Sequence, residues 1–426
     1  MNRIILVGNG FDLAHNLPTG YKDFINWYWE VRGNNMINNP SRIDSDCLGS
    51  FRILWDNYSL KSYYNDHVGY QDLSGREFIE HLESVPHICE VKQKPFLKSL
   101  TSSIEAKGWV DVENEYYRML KQLSVKNLKT TSVNELNSQM EFLRVHLVEY
   151  LSNVLTSNDD IEIQKELQHR ILEPIRDQDL SIASRHHWED FINKRTEYDE
   201  NEWATLLSSY ACYDVYSRVR ESMSVAEKIR SRLANKEQAY TWSRYYTEEF
   251  LLPDNILILN FNYTDIADRY LPDAAIFKTN HIHGELSSKE GVIFGYGDEL
   301  DKDYENLKEL NENEYLCNMK STKYLEADNY RKLLSFIDSA PFQIYIMGHS
   351  CGNSDRTLLN TLFEHENCVS IKPFFHRKDN GSDNYLDIVQ NISRNFTDMK
   401  KMRDRVVNKT YCEPLPQLKK AVEDNK

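Results

Sequence analysis

The stretch Ile4-Ile5-Leu6-Val7-Gly8-Asn9-Gly10-Phe11-Asp12, close to the start of the sequence, decides the fold. Its four apolar residues predict a buried strand, and the Gly-x-Gly after them predicts a tight turn into a helix. One glycine would take the turn, and the other would let the main chain approach a pyrophosphate without a Cβ in the way. Because many α/β proteins use such a motif only to turn a corner, the motif favours a phosphate site and a plain turn equally.

The composition is that of an ordinary globular protein, with 40% apolar and 27% charged residues among 426. No apolar run approaches the length of a bilayer span, and the first strand is too short for a signal peptide, which favours a cytoplasmic protein. Seven scattered cysteines without a Cys-x-x-Cys suit a reducing compartment and give no zinc module. The net charge of -15 opposes unaided binding to nucleic acid or to an acidic membrane.

Short apolar runs typical of buried strands return after Pro253. The candidate strands are 256–259, 275–281, 292–294, 344–347 and 369–375. Strands interleaved with helical stretches predict a mostly parallel sheet, which the first strand must join. We therefore predict an α/β fold in which residues 1–30 and 251–398 form a Rossmann-like nucleotide-binding domain.

Between these two parts, residues 31–250 show helical spacing and predict a large α-helical insertion. A capping box, Ser132-x-x-Glu135, opens its longest helix. The predicted apolar face of that helix is Leu136, Met140, Leu143, Leu147, Leu151 and Val154. Within the insertion, Asp111 and Glu113 could reach a site elsewhere, but an amphipathic helix start explains them more simply. Residues 399–426 form a charged C-terminal tail, expected to be a solvated helix or a fraying end.

Three polar turns follow the later strands, at 260–265, 281–285 and 348–355. In a doubly wound sheet, ligands bind at the carboxyl ends of the strands, so these turns should gather near Gly8–Gly10. Each turn also has a simpler explanation. Asn262 and Asp265 could cap a helix. His281 and His283 would share one side of a strand, but no third ligand has a diagnostic spacing, so we predict no metal site.

A His-Gly pair at a strand end is better explained as a polariser or general base, because an imidazole with a pKa of about 6.5 transfers protons at neutral pH. The run Gly348-His349-Ser350-Cys351-Gly352 also spells the nucleophile elbow of α/β-hydrolases. No histidine and aspartate follow it at suitable positions. A second nucleotide-binding loop, with Asp355 as the N-cap of the next helix, is the simpler interpretation.

Several motifs in this order resemble the AbiH family of abortive-infection proteins. The opening run from Ile5 to His15, with 17–21 after it, is similar to the first signature of that family. The Trp109-x-Asp111-x-Glu113 stretch and the 260–265, His283-Gly284 and 348–355 segments are similar to the rest. The resemblance implies a role in bacterial defence against phage.

More distantly, the same order is similar to sirtuin-like NAD-binding domains. In that comparison, Asn262 matches the asparagine that holds the nicotinamide ribose, and His283 matches the catalytic histidine. Asn9 and Phe11-Asp12 replace the small residues of the usual first loop, and Thr264 puts Asp265 out of register. The four-cysteine zinc module is missing, which argues against a protein deacetylase.

The resulting hypothesis is an antiphage effector that hydrolyses NAD⁺ at the nicotinamide–ribose bond. Asn262 would position the ribose and the attacking water, and His283 would accept a proton. The residues assigned to dinucleotide binding are Gly8, Asn9, Gly10, Phe11, Asp12, Asp265, Gly284, Gly348, His349, Ser350 and Asp355. The alternatives are a non-catalytic sensor of NAD or ADP-ribose and a serine hydrolase that uses Ser350. A second copy or a partner protein would bind through the helical insertion, and neither nucleic acid nor a membrane is expected as a partner.

Overall fold

The opening stretch forms the central strand of a five-stranded parallel sheet in the computed structural model. The structure describes residues 1–38, 43–54, 80, 83–84, 86–87, 89–107, 111–125, 131–158, 161–210, 248–271, 273–288, 291–378 and 380–418. It divides into two units. Residues 1–17, 160–292 and 324–426 belong to the first, called here the sheet unit, and residues 18–159 and 293–323 belong to the second, called the helical unit.

In chain order, the strands are β1 (Asn2–Val7), β2 (Ile43–Ser45), β3 (Gly49–Ile53), β4 (Cys89–Gln93), β5 (Ile256–Asn260), β6 (Phe277–His281), β7 (Phe342–Met347) and β8 (Cys368–Phe374). The α-helices are α1 (Asn9–Leu13), α2 (Tyr21–Asn38), α3 (Pro95–Lys107), α4 (Val112–Val125), α5 (Val133–Thr156), α6 (Lys165–Leu172), α7 (Arg185–Glu197), α8 (Glu200–Tyr210), α9 (Lys302–Glu309), α10 (Lys320–Lys323), α11 (Asn329–Ser339), α12 (Arg356–Phe363), α13 (Tyr385–Asn395) and α14 (Met399–Arg405).

The sheet has the strand order β6-β5-β1-β7-β8, and every neighbouring pair is parallel. Ile5 lies opposite Ile258 on one side and Tyr345 on the other. All residues of β1, β5, β7 and β8 are buried, as expected for strands covered on both faces. The predicted α/β fold with a parallel sheet is therefore confirmed. The candidate strand at 292–294 was wrong, because these residues have no strand conformation, although Val292 and Phe294 are buried.

Part of the region predicted as the insertion lies in the sheet unit. Helices α6, α7 and α8 belong to it. The guanidinium of Arg3, in β1, donates to the carbonyl oxygens of Ile171 and Glu173 at 3.0 and 2.6 Å. The main-chain N–H of Ser181 donates to the carbonyl of Val369, in β8, at 2.9 Å. Hydrogen bonds to two strands of the sheet thus hold this segment, which its helical spacing had grouped with the insertion.

The charged segment after 399 also packs on the sheet unit up to residue 418. Helix α14 is followed by an extended stretch, in which the N–H of Val407 donates to Ile371 and the N–H of Leu415 donates to Phe375. Met402, Val407 and Leu415 are buried. The described part of this segment is thus not a fraying end. Its few apolar side chains decide its position, although charged residues dominate its composition.

The helical unit contains α2 to α5 and a three-stranded antiparallel sheet of the order β2-β3-β4. Helix α5 begins after Ser132, whose hydroxyl accepts the N–H of Glu135 at 3.1 Å, and its predicted apolar face is buried. The expectation of helices alone was wrong for this region. Strands of three to five residues that carry charged side chains gave too weak an apolar signal. Among the described helices, none combines the length and apolar character needed to cross a membrane.

Candidate functional site

The turns after β1, β5, β6 and β7 carry the candidate site, and all four belong to the sheet unit. The side-chain amide of Asn262 donates to the carbonyl oxygen of Gly8 at 3.1 Å. The N–H of Gly10 donates to the carbonyl oxygen of Gly348 at 2.9 Å. The turns after β5 and β7 therefore both contact the first turn directly. Parallel strands end at one edge of the sheet, which is why segments far apart in sequence meet here.

The glycines of the first and last turns interlock. A Cβ on Gly8 would lie 2.6 Å from Cα of His349, and one on Gly10 would lie 2.8 Å from the carbonyl oxygen of Gly348. Gly348 has a φ of +81°, and a Cβ there would lie 2.1 Å from the nitrogen of Phe11. Contacts shorter than 3 Å are not tolerated by real side chains, so these glycines are required by the approach of one protein turn to another.

This packing gives the first turn a structural explanation that does not require a phosphate. The N–H groups of Gly8, Gly10 and Phe11 donate to the carbonyls of Met347, Gly348 and Gly8. A hydrogen already bonded to a protein carbonyl is not available to a diphosphate without breaking that bond. Helix α1 has only five residues, so little helix dipole is left to attract an anion. The close approach of the two turns thus accounts for these glycines, and their role in nucleotide binding stays a prediction.

Asp12 lies between the first and second turns and is buried. Its carboxylate accepts the side-chain amide of Asn262 at 2.9 Å and the hydroxyl of Thr264 at 2.7 Å. Burial raises the pKa of Asp12 to about 7, against the effect of these two hydrogen bonds. In the sequence, Thr264 was considered only as the residue that puts Asp265 out of register. In the structure, its hydroxyl donates a hydrogen bond to the buried carboxylate of Asp12. The only signal for it was its position two residues after Asn262.

The contacts of Asn262 change the role predicted for it. Its side-chain NH₂ donates to Gly8 and to Asp12, and its main-chain N–H donates to the side chain of Asn260. Both amide hydrogens are therefore bonded to protein oxygens. Asn262 ties the second turn to the first, and only its side-chain oxygen is left to orient a ribose.

Two histidines flank one carboxylate at the same edge of the sheet. Nε2 of His283 lies 3.2 Å from Oδ1 of Asp355, and Nε2 of His349 lies 3.7 Å from Oδ2. The hydroxyl of Tyr324 lies 3.1 Å from Nε2 of His283. All four side chains are buried, and the ring of Phe261 packs edge-on against His283. Tyr324 was not singled out from the sequence, because it follows no strand and belongs to no motif.

The ring nitrogens of His349 have separate partners. Its Nδ1 accepts the N–H of Cys351 at 3.0 Å, so the proton of the neutral imidazole is on Nε2, the atom that faces Asp355. The ring is thereby held in one orientation beside the carboxylate.

Asp355 occupies the N-cap position of α12, as predicted, but its carboxylate makes no capping hydrogen bond. An aspartate that caps a helix stabilises it by about 1 kcal/mol. Here the carboxylate instead faces the two imidazoles. The position was predictable from the helix start, whereas the direction of the side chain was not.

The other predicted residues divide between surface and core. Asp265 is exposed and lies 3.5 Å from Arg269, and Asn9 and Ser350 are also exposed. Phe11 is buried and packs edge-on against Tyr270, with ring centroids 5.4 Å apart. Gly284 has a φ of +77°, and a Cβ there would lie 2.3 Å from the carbonyl of Gly291. Ring packing thus explains Phe11, and backbone conformation explains Gly284, without reference to a ligand.

The two acidic residues of the Trp109 stretch have contacts within the helical unit, while Trp109 itself lies outside the described residues. The carboxylate of Asp111 accepts the N–H of Asn114 at 2.9 Å, which starts α4. Glu113 is buried, lies 2.9 Å from the amine of Lys320 and accepts the N–H of Gly295. The helix-start explanation holds for Asp111, and Glu113 forms an internal ion pair.

Comparison with known proteins adds the family. A model of the bacteriophage abortive infection AbiH family matches residues 4–376, which begin in β1, end beyond β8 and include all four turns. No curated protein and no solved structure matched the chain. Because the family match covers most of the sequence, the chain belongs to the bacteriophage abortive infection AbiH family, a membership that indicates a role in phage abortive infection.

Proposed function

We propose that this chain is an abortive-infection effector with hydrolase activity, that His283 is its general base, and that NAD⁺ is its substrate. The observation that carries the catalytic part is the 3.2 Å contact between Nε2 of His283 and the carboxylate of Asp355. A base oriented by a buried carboxylate, at the carboxyl ends of parallel strands, is a recurring arrangement in hydrolases. The role in infection rests on the family.

The roles of the two residues follow from the chemistry of the pair. If Nε2 of His283 carries the proton and donates it to Asp355, Nδ1 is the basic nitrogen. The negative charge of Asp355 then stabilises the imidazolium that forms when Nδ1 accepts a second proton. Tyr324, also beside Nε2, limits rotation of the ring. His349, on the other carboxylate oxygen, helps hold Asp355 in place.

For NAD⁺, water would add to C1′ of the nicotinamide ribose while the bond from C1′ to the pyridinium nitrogen breaks. The electron pair of that bond returns to nicotinamide, which leaves neutral, and the proton of the water goes to His283. The transition state has oxocarbenium character, as in glycoside hydrolysis. The diphosphate would have to be bound outside the Gly8–Gly10 main chain. Asn9 and Ser350, the exposed members of the predicted set that carry no negative charge, are the residues we assign to it.

The serine-hydrolase alternative is not favoured by the geometry of the last turn. The residue with positive φ is Cys351, at 55°, and not Ser350, which a nucleophile elbow would need at its bend. Nδ1 of the adjacent His349 accepts a main-chain N–H. Within the described part of the chain, the Ser350 hydroxyl has no hydrogen bond to a histidine. We therefore expect no labelling of Ser350 by a fluorophosphonate probe.

The test uses the purified full chain, NAD⁺ and chromatographic measurement of released nicotinamide, with and without lysate of phage-infected cells. We expect release, and a loss of at least about 100-fold in His283→Gln and Asp355→Asn. The matched control is His365→Gln, because His365 and Asp338 form a second His–Asp pair, 3.1 Å apart, outside the cluster. It should keep full activity.

Two results would overturn parts of this proposal. Calorimetric binding of NAD⁺ without release of nicotinamide under either condition would support the sensor alternative. Full turnover in both His283→Gln and Asp355→Asn would remove the histidine from the mechanism. Phage plating on cells that express the same variants tests the family role, since protection should be lost with His283→Gln at unchanged protein abundance.

A further inference from the structure

A second group of potential ligands lies at the end of the edge strand β6, apart from the His283 cluster. It consists of His281, the last residue of β6, Asp268 in the 3₁₀ segment Ile266–Tyr270, and Glu285 in the following turn. Nε2 of His281 lies 2.9 Å from Oδ2 of Asp268 and 3.6 Å from Oε2 of Glu285. The sequence had paired His281 with His283, but the structure surrounds His281 with carboxylates.

These separations match those between ligands of one metal ion. Zinc bonds of about 2.0–2.2 Å in tetrahedral geometry place neighbouring ligand atoms roughly 3.3–3.6 Å apart. The distance from His281 to Asp268 is shorter than that range, the distance from His281 to Glu285 is at its upper end, and the three ligand atoms all lie within 4.8 Å of one another. Small rotations of the two carboxylates would therefore be enough to coordinate an ion.

An unsatisfied carboxylate oxygen is a second observation. Oδ1 of Asp268, beside the oxygen that faces His281, is buried and has no hydrogen-bond partner in the described part of the chain. The His281 side chain is only 12% exposed. A buried carboxylate oxygen without a donor costs free energy, and a bound cation removes that cost.

We propose that Asp268, His281 and Glu285 form a binding site for a divalent first-row cation, with Zn²⁺ as the best match and a water molecule as the fourth ligand. One imidazole nitrogen with two carboxylate oxygens suits zinc or manganese and excludes an all-oxygen magnesium site. Three protein ligands with an open fourth position are typical of a zinc site that can activate water. This proposal does not depend on the hydrolase proposed above.

The competing explanation is an ion pair between a protonated His281 and the two carboxylates, with no metal. Calorimetry on the chelator-treated full chain separates the two explanations, with ZnSO₄, MnCl₂ and MgCl₂ as titrants at pH 8. We expect one Zn²⁺ per chain with at least tenfold weaker binding of Mg²⁺. Glu285→Gln and Asp268→Asn should each weaken Zn²⁺ binding by at least tenfold.

Controls keep the result interpretable. Glu285 is 39% exposed, so Glu285→Gln should leave the fold intact, which its melting temperature without metal will verify. His365→Gln removes the pair of His365 and Asp338, which offers only two potential ligands. This variant should still bind one Zn²⁺ per chain. Cobalt substitution should give the visible absorption of a tetrahedral ion, lost in Glu285→Gln. No Zn²⁺ binding below about 100 µM, or binding that both carboxylate variants leave unchanged, would overturn the proposal.

Discussion

The main-chain N–H of Gly10 donates to the carbonyl oxygen of Gly348 at 2.9 Å, and this bond joins two turns from opposite ends of the sequence. The glycines around it leave no space for side chains. The edge of the sheet where a ligand was expected is therefore partly filled by the protein itself. The chemistry that we propose for this edge rests on the side chains beside the joined turns, namely His283, Asp355 and His349.

Gly348→Ala should destabilise the sheet unit strongly, because it combines a positive φ with a 2.1 Å contact to the nitrogen of Phe11. Gly381 is a matched control, since its φ is +82° but a Cβ there meets nothing within 4 Å. Gly381→Ala should cost about 1–2 kcal/mol of unfolding free energy, from backbone strain alone. Gly348→Ala should cost at least about 2 kcal/mol more, measured by urea unfolding. Equal losses in the two variants would show that the turns are not tightly joined.

The stability of the fold should fall between about pH 4 and pH 7 because of Asp12. Burial raises the pKa of its carboxyl from 3.8 to about 7 in the folded protein. Between these two pKa values, the folded state therefore keeps a proton that the unfolded state releases. The resulting contribution to the free energy of unfolding is fully present below about pH 4 and is lost as the pH rises to about 7. Its size is at most about 4 kcal/mol.

Asp12→Asn mimics the protonated acid and should flatten that pH dependence, as measured by urea unfolding at intervals from pH 4 to 8. The control is Asp387→Asn, which changes an exposed carboxylate in the first turn of α13 and should keep the wild-type slope. An unchanged slope in Asp12→Asn would mean that other groups cause the dependence.

Asn262→Ala separates a structural from a catalytic role. Removal of its amide deletes one hydrogen bond to the carbonyl of Gly8 and one to the buried carboxylate of Asp12, so we expect a loss of about 2–3 kcal/mol in unfolding free energy. The exposed Asn353 provides the control, since Asn353→Ala should change little. If Asn262→Ala abolished nicotinamide release while stability stayed at the wild-type value, the ribose-positioning role would be correct. The hydrogen bonds from Asn262 to the first turn would then be unimportant for stability.

In the helical unit, removal of a charge from the buried pair of Glu113 and Lys320 should reduce stability far more than removal of a charge from an exposed pair. Both side chains are almost fully buried and lie 2.9 Å apart, so Glu113→Gln removes the carboxylate charge beside a buried ammonium and should cost about 3–5 kcal/mol. The double variant Glu113→Gln/Lys320→Met should recover part of this loss. At the exposed pair of Glu305 and Lys308, Glu305→Gln should give no measurable change in thermal unfolding. If the loss of stability in the double variant equalled the sum of the losses in the two single variants, a stabilising interaction between Glu113 and Lys320 would be contradicted.

Much of the sheet unit could be predicted because its signals are local. Four of the five strand candidates after Pro253 and the first strand itself are strands. The apolar runs of β1, β5, β7 and β8 are covered on both faces, whereas the more polar β6 lies at the edge of the sheet. The carboxyl-end rule then brings the four turns to one edge of the sheet. The placement of α6, α7 and α8 was missed, because amphipathic helices look alike whether they pack on a sheet or on other helices.

By itself, the sequence determined the parallel sheet, the polar turns at its edge and the start of α12 at Asp355, all of which depend on residue type and spacing within a few positions. Only the tertiary structure decided which atoms those turns present to one another. Gly10 contacts Gly348, Asp12 accepts from Thr264, and Asp355 faces His283 rather than its own helix. A hydrogen bond needs partners about 3 Å apart, and that distance between residues far apart in sequence is set by the packing of the whole sheet unit.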